Sequence, residues 1–221
     1  MSIATNLASA VDSGVRQIGE ISILLGKEGA AYVLCHREDT GALQSLKLHE
    51  GPSAARDLST WAEDGHYRFT KGELSLKRGW RMHLSSASEL LEALDGFYPA
   101  AAGLWLAERN GRLEVEHLRT KLDRQTGMYR NSREISDAGA QALVKDVCGP
   151  SHCCAKKILW QLDKNTALEP SDASSYDGVV GDLPRQQAIP LLCREACNHF
   201  VAEARKVSKA EKQARLSSGA D

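Results

Sequence analysis

Five of the six cysteines of this chain lie in its last third, in two groups. Cys148 and the adjacent pair Cys153-Cys154 form the first, and Cys193 and Cys197 the second. Thiolates gathered in this way are the donor set of a metal centre, because soft sulfur ligands select zinc or an iron–sulfur cluster. The plain alternative is a set of core thiols, since free cysteine packs as a small apolar residue. One cysteine fits that alternative; five in two compact groups fit it poorly. Cys35 fits it well, because it alternates with Ala31 and Val33 along an expected strand and so faces inward.

Spacing bears on the choice of metal. Zinc, with Zn–S bonds of ~2.3 Å, needs sulfurs less than about 4 Å apart. The C-x2-C knuckle that holds them so in a tight turn is absent. Cys193 and Cys197 are four apart in an expected helix and share one face. A four-iron cube spreads its ligands more widely and suits that spacing better, while zinc remains open. Cys148 is expected to end a helix at Gly149-Pro150, and Cys153-Cys154 to precede the next one. A helix start favours a thiolate, and Cys193 in a first turn gains the same benefit. Lys156, Lys157 and Arg194 offset the charge of four thiolates. Adjacent residues point apart, so only one of Cys153 and Cys154 is expected to be a ligand. His152 and His199 are expected to hydrogen-bond near the centre rather than to ligate.

The positioning elements read as an α+β chain: a small sheet-plus-helix unit followed by a mainly helical one. Residues 20–25, 31–36 and 43–49 read as strands, with turns at 26–29 and 39–41. A helix is expected over 52–61, strand-rich chain over 67–80 and a second helix over 86–94, with Leu90, Leu91 and Leu94 on one face. A boundary is placed near Asp95-Gly96. Beyond it, helices are expected over 97–107, 117–123, 137–147, 154–162 and 190–207. A short strand at 113–115 and a long polar loop over 164–185 complete the reading. The units are then an N-terminal segment 1–19, an α+β domain 20–95, a mainly helical domain 96–207 and a basic flexible tail 208–221.

Bulk composition removes several functions. Of 221 residues, 28 are basic and 29 acidic, so the molecule has no overall charge to draw nucleic acid or membrane. Arg205, Lys206, Lys209, Lys212 and Arg215 face only Glu203 and Glu211, as on a solvated helix end. The early apolar run at 21–25 is too short for a bilayer. No basic start with an apolar core opens the chain, so a cytoplasmic location is expected, where thiols stay reduced and metal ligation outranks disulfides. Phosphate loops, dinucleotide fingerprints and H-E-x-x-H are absent, and no catalysis by side chains is expected. A nucleic-acid-binding regulator stays as an alternative on Arg119, Lys121, Arg124, Arg130 and Arg133 of a helix–turn–helix-like run over 117–147, with a solvated face the favoured reading.

LDRQTGMYR at 122–130, Cys148 with CCAKKILW at 153–160, and CREACNHF at 193–200 resemble the C-terminal iron–sulfur domain of chelatase-like multidomain proteins related to CbiX. GPSAARDLSTWAEDGHYR at 51–68, LKRGW at 76–80 and ALDGFYPAA at 93–101 resemble the domain that stabilises it. The resemblance spans roughly residues 20–207. It implies a [4Fe-4S] cluster on Cys148, Cys154, Cys193 and Cys197. Cys154 is preferred to Cys153 because it precedes AKKILW in the family's Cys-x-basic-basic pattern. Met128 and Tyr129 are then expected near the cluster. In the relatives, chelatase-like domains precede this region; the sequence does not contain them, so metal insertion into a tetrapyrrole is not implied. The implied role is a detached cluster-bearing subunit for electron transfer or redox support. It would have a protein redox partner or chelatase-like partner and a link to tetrapyrrole metabolism of the sirohaem or cobalamin type. A structural cluster or zinc module that binds another protein stays open beside it.

Overall fold

The computed structural model describes residues 2–27, 29–149, 152, 154–161 and 176–218. Contacts divide the chain into two compact units, Met1–Leu113 with Asp177–Leu192, and Glu114–Tyr176 with Cys193–Asp221. The strands are β1 (Gln17–Ile18), β2 (Ile21–Leu25), β3 (Tyr32–His36), β4 (Lys47–Glu50), β5 (Trp80–Leu84), β6 (Lys157–Ile158), β7 (Ala188–Ile189) and β8 (Leu192–Cys193). The helices are α1 (Ile3–Asp12), α2 (Ala55–Thr60), α3 (Ala87–Phe97), α4 (Ala101–Arg109), α5 (Leu118–Asp123), α6 (Asp137–Val147) and α7 (Asn198–Ser218). The α+β class expected from the sequence is the class observed.

The first unit is built on a six-stranded mixed sheet in the order β4-β5-β3-β2-β1-β7. β4–β5 and β1–β7 run parallel, and the pairs between them antiparallel. Alternation along the strands sends Ile21, Ile23, Leu34, Met82 and Leu84 into one core. α3 covers it with Leu90, Ala93, Leu94 and Phe97, and Phe97 stacks on Trp80 at 5.0 Å with rings 16° apart. Each of these large side chains stabilises the fold by about 1.5–3 kcal/mol on burial. α1 joins the same core through Leu7, Ala10 and Val11, with the Ser2 hydroxyl accepting from the Thr5 amide at its start.

Three expected elements come out differently here. Residues 37–45 form a 3-10 helix, and the strand after it is confined to β4. Over 67–80 only single bridges form, Trp61 with Tyr67 and Ala62 with Leu76, and the true strand starts at Trp80. The expected boundary near Asp95-Gly96 falls inside α3. The 97–107 helix is instead α4, which follows Ala100 in a left-handed conformation at φ 59. Asp95 holds that break by accepting from the Ala100 amide at 3.1 Å.

A polar network is sealed in this unit. Glu20 accepts from the Leu76 amide at 2.9 Å, and lies 3.5 Å from His36 Nε2 and 3.8 Å from an Arg68 nitrogen. The Tyr98 hydroxyl accepts from the Glu20 amide at 3.0 Å, and burial, then the Glu20 charge, pushes its phenol up to about 12. His36 is only 1% exposed. Its Nδ1 accepts from the Glu38 amide, which leaves the proton on Nε2 to face Glu20. Gly19 makes room for this packing: its φ is +53, and an added Cβ would sit 2.5 Å from the Tyr98 ring.

The second unit packs α5, a 3-10 segment (Gly127–Glu134), α6 and α7 around Leu118, Leu122, Leu143, Val144, Trp160 and Phe200. Ser136 caps α6 by accepting from the Gly139 amide at 2.9 Å. Glu211 of α7 accepts from the Ser136 amide at 2.9 Å and from its hydroxyl at 2.5 Å. The start of α6 thus sits by the far end of α7, and α6 runs back toward the α7 start.

Helices expected over 154–162 and 190–207 are absent as such. β6 lies in the first stretch, and α7 begins only at Asn198. Ile189, Leu191 and Leu192 are each buried on an extended segment, so the apolar run reads as a strand buried on both faces. The strand expected at 113–115 does not form. Of the expected loop, residues 162–175 lie outside the described residues, and 176–184 carry neither helix nor strand. The basic end continues α7 as far as Ser218.

Candidate metal centre

Cys148 caps the C-terminus of α6. Its amide donates to Val144 O at 3.0 Å, while its own backbone is already extended. Gly149 turns the chain at φ 104, and Cys154 comes back against it, donating its amide to Gly149 O at 3.3 Å. The residue after Cys148 is thereby bridged to Cys154. His152 donates its amide to the same carbonyl and is exposed. Cys153 lies outside the described residues.

Cys193 ends β8, and its carbonyl accepts from the Leu159 amide at 2.9 Å. The Trp160 indole N–H donates to its Sγ at 3.4 Å, and its S–H donates to Glu195 O at 3.1 Å. Burial pushes the Cys193 thiol up to about 11, against the pull of the Lys156 ammonium and the Trp160 indole. Cys154 and Cys197 push it further the same way, so the three sulfurs share one electrostatic neighbourhood. Cys148 and Cys193 also pack against the same apolar core.

Cys197 occupies the residue before α7, where its Sγ accepts from the Phe200 amide at 3.4 Å. That is an N-cap bond made by sulfur, at the positive end of a helix of 21 residues. The expectation that Cys193 and Cys197 share a helix face is therefore corrected: one ends a strand, the other precedes the helix. The helix-start benefit assigned to Cys193 and Cys154 falls to Cys197 instead. Trp160, as a donor to sulfur, is a residue sequence reasoning missed; the only signal for it was its place at the end of CCAKKILW.

Among the described residues, no three Cys, His, Asp or Glu side chains lie close enough to hold one metal ion together. A four-iron cube is a larger object than one ion. The donor set fits it in kind: thiols from separate segments, N–H groups on two of the sulfurs, and a lysine beside Cys193. Cys35 belongs elsewhere, fully buried in β3, with burial, then Asp39, pushing its thiol up to about 12.

The basic residues of the 117–147 run are largely engaged locally. Arg119 pairs with Asp137, Lys121 with Glu195 at 3.3 Å, and Arg124 with Glu116. Met128 and Tyr129 are 61% and 40% exposed, and Met128 sulfur accepts from Arg205 at 3.7 Å. Among the described residues, no helix is long and apolar enough to cross a membrane.

Residues 110–206 match the family model of a 4Fe-4S iron–sulfur cluster binding domain, and residues 5–109 match that of the DR2241 stabilising domain. The chain thus resembles, over both parts, the stabilising and cluster-binding region of chelatase-like multidomain proteins. A solved structure makes the likeness particular: DR2241 from Deinococcus radiodurans, 25% identical with a TM-score of 0.72 over 94% of this chain. That protein is described as multi-domain, with structural similarity to chelatases and two additional novel domains. The present chain spans 42% of its length. No curated protein matches the chain.

Proposed function

We propose that this chain holds a [4Fe-4S] cluster on Cys148, Cys154, Cys193 and Cys197 and serves in electron transfer or redox support. The observation that carries this reading is the match of residues 110–206 to a 4Fe-4S domain, inside which Cys148 and Cys193 pack on one core and N–H groups donate to the sulfurs of Cys193 and Cys197. A bound cluster supplies reversible one-electron chemistry. The chain's own part is electrostatic. The Trp160 indole and the Phe200 amide donate to two of the sulfurs, and the Lys156 ammonium stands by Cys193, so added negative charge is stabilised where it falls.

The second unit is the cluster-bearing body and the first its support. The likeness to a chelatase-like multidomain protein supports a chelatase-like or other redox protein as partner, and a link to tetrapyrrole metabolism. A reducing cytosol would keep the thiols available. The local pairing of Arg119, Lys121 and Arg124 speaks against phosphate contacts by that run.

The test is anaerobic purification followed by iron and acid-labile sulfide analysis and EPR after dithionite. About four irons and four sulfides per chain are expected, and a brown protein that bleaches on reduction. Cys154→Ser is expected to lose that content and Cys153→Ser to keep it. A colourless protein that holds zinc and no sulfide overturns the reading.

A further inference from the structure

The cations of α7 fall into two sets. Lys206 pairs with Glu203 at 2.6 Å and Arg215 with Glu211 at 3.9 Å, each within one turn of the helix. Arg205, Lys209 and Lys212 have no carboxylate partner among the described residues. At 100° per residue these three lie within about 60° of one another around the helix. Leu216, 70% exposed, falls in the same stripe. The buried residues Val201, Ala204 and Ser208 lie to one side of it. The 3-10 segment carrying Met128 and Tyr129 runs beside it, and the Met128 sulfur accepts from Arg205 at 3.7 Å. α7 is also the helix that Cys197 caps. One element thus holds a cysteine of the proposed centre at its start and the cationic stripe beyond, with Arg205 about 12 Å along the axis from Cys197.

We infer that this stripe, with Met128 and Tyr129 at its edge, is the docking face for an acidic one-electron carrier protein. Carboxylates of the partner meet Arg205, Lys209 and Lys212, and its apolar side chains cover the exposed thioether and ring. The kind of partner rests on the redox reading above. Charge selects it over the other occupants. A second copy meeting this face with its own would set like charges opposite each other, which opposes association. A nucleic-acid strand asks for more cations, since its binders make about six to ten phosphate contacts. In the neighbouring basic run Arg119, Lys121 and Arg124 are already paired. Size points the same way: the stripe runs about 16 Å from Arg205 to Leu216, the scale of the small, weak interfaces through which redox proteins meet. A methionine at the rim adapts to the partner's surface.

The test uses the full chain, purified anaerobically, with labelled flavodoxin as the acidic carrier and fluorescence anisotropy at low salt as the readout of binding. Lys209→Gln with Lys212→Gln is expected to weaken binding about tenfold. Lys206→Gln with Arg215→Gln removes the same two charges from paired positions and is expected to weaken it about twofold or less. All four positions are exposed and glutamine suits a helix, so both variants keep the fold, as melting temperature checks. Salt at about 0.5 M is expected to erase the difference between them. Equal losses in the two variants overturn the docking face, because total charge and not its placement would then drive binding. Flavodoxin that does not bind the wild-type chain overturns it too. So does tighter binding of a single-stranded oligonucleotide, or of phosphatidylserine vesicles, that falls in the Lys209 and Lys212 variant. A chain that holds no iron and sulfide instead overturns the redox reading, since anisotropy reports docking with or without a cluster.

Discussion

Replacing Trp160 by Phe isolates one interaction at the proposed centre. The ring is 3% exposed and meets Phe200 edge-on with centroids 5.4 Å apart. Phenylalanine keeps that contact and most of the burial. What it removes is the indole N–H that donates to Cys193 Sγ at 3.4 Å. A hydrogen bond to a charged group contributes about 1.5–3 kcal/mol. The reduced cluster carries one more electron, so the bond is stronger in that state. A difference of about 1 kcal/mol between the two states equals roughly 40 mV for a one-electron couple. The midpoint potential of Trp160→Phe should therefore fall by roughly 40 mV, read by a dithionite titration followed by EPR. The direction is fixed: loss of a donor disfavours the more negative state. A potential within about 10 mV of wild type, with cluster content intact, would refute a donor role for Trp160.

Three further outcomes follow from the same contacts. Cys35, fully buried with its thiol pushed up to about 12, should resist iodoacetamide in the native chain up to pH ~9 and react only on unfolding. Stripped of iron, the chain should also lose stability in alkali: the Cys193 thiol titrates near about 11 folded against 9.0 for a free thiol. Its contribution is complete below pH 9 and disappears as pH rises through about 11. Cys35 acts in the same direction, so melts should be run in a Cys35→Ala background, where adding Cys193→Ala should flatten the slope; an unchanged slope contradicts the assignment. Finally, Gly139→Ala should lower stability by about 1–2 kcal/mol despite a helix-propensity gain of about 1 kcal/mol. The new Cβ would collide with the Glu211 carboxylate and lie 3.1 Å from Val207, breaking the bonds from Ser136. A higher melting temperature would show that Glu211 does not hold α6 to α7.

Local periodicity made part of this fold legible. β2 and β3 put Ile21 with Ile23 and Tyr32 with Leu34 into the core two apart, α3 and α6 carry apolar residues three and four apart, and each appears close to where it was expected. α1 carried the same signal, Leu7 with Ala10 and Val11 behind a Ser2 cap, masked by the small and polar residues around it. The misread helix segments after residue 153 share one cause. Ile158-Leu159-Trp160 and Leu191-Leu192-Cys193 are short apolar runs, and a run of that length fits a buried strand as well as a helix. Tertiary pairing decides between them, and the Leu159–Cys193 bond joins residues 34 apart in sequence. The sealed network of Glu20, His36, Arg68 and Tyr98 is of the same kind, since nothing local at residue 36 signals a carboxylate from residue 20.

The cysteines were legible by type and grouping, and their geometry was not. On one helix face, Cys193 and Cys197 would have been fixed by four-residue spacing alone. On a strand end and a helix cap, their separation is set by the turn through Glu195, by Trp160 against Cys193, and by the Phe200 amide on Cys197. Sequence spacing then has no bearing on whether zinc or a cluster is bound, and the preference drawn from it falls away. What supports a cluster is the match of residues 110–206 to a 4Fe-4S domain, together with N–H donors placed on two sulfurs. Zinc holds its thiolates with fixed charge and gains from such donors equally in every state, whereas a redox cluster gains more when reduced. The Trp160→Phe potential is thus the measurement in which the two metals part: a cluster reports the missing donor as a shift, and zinc has no potential to move.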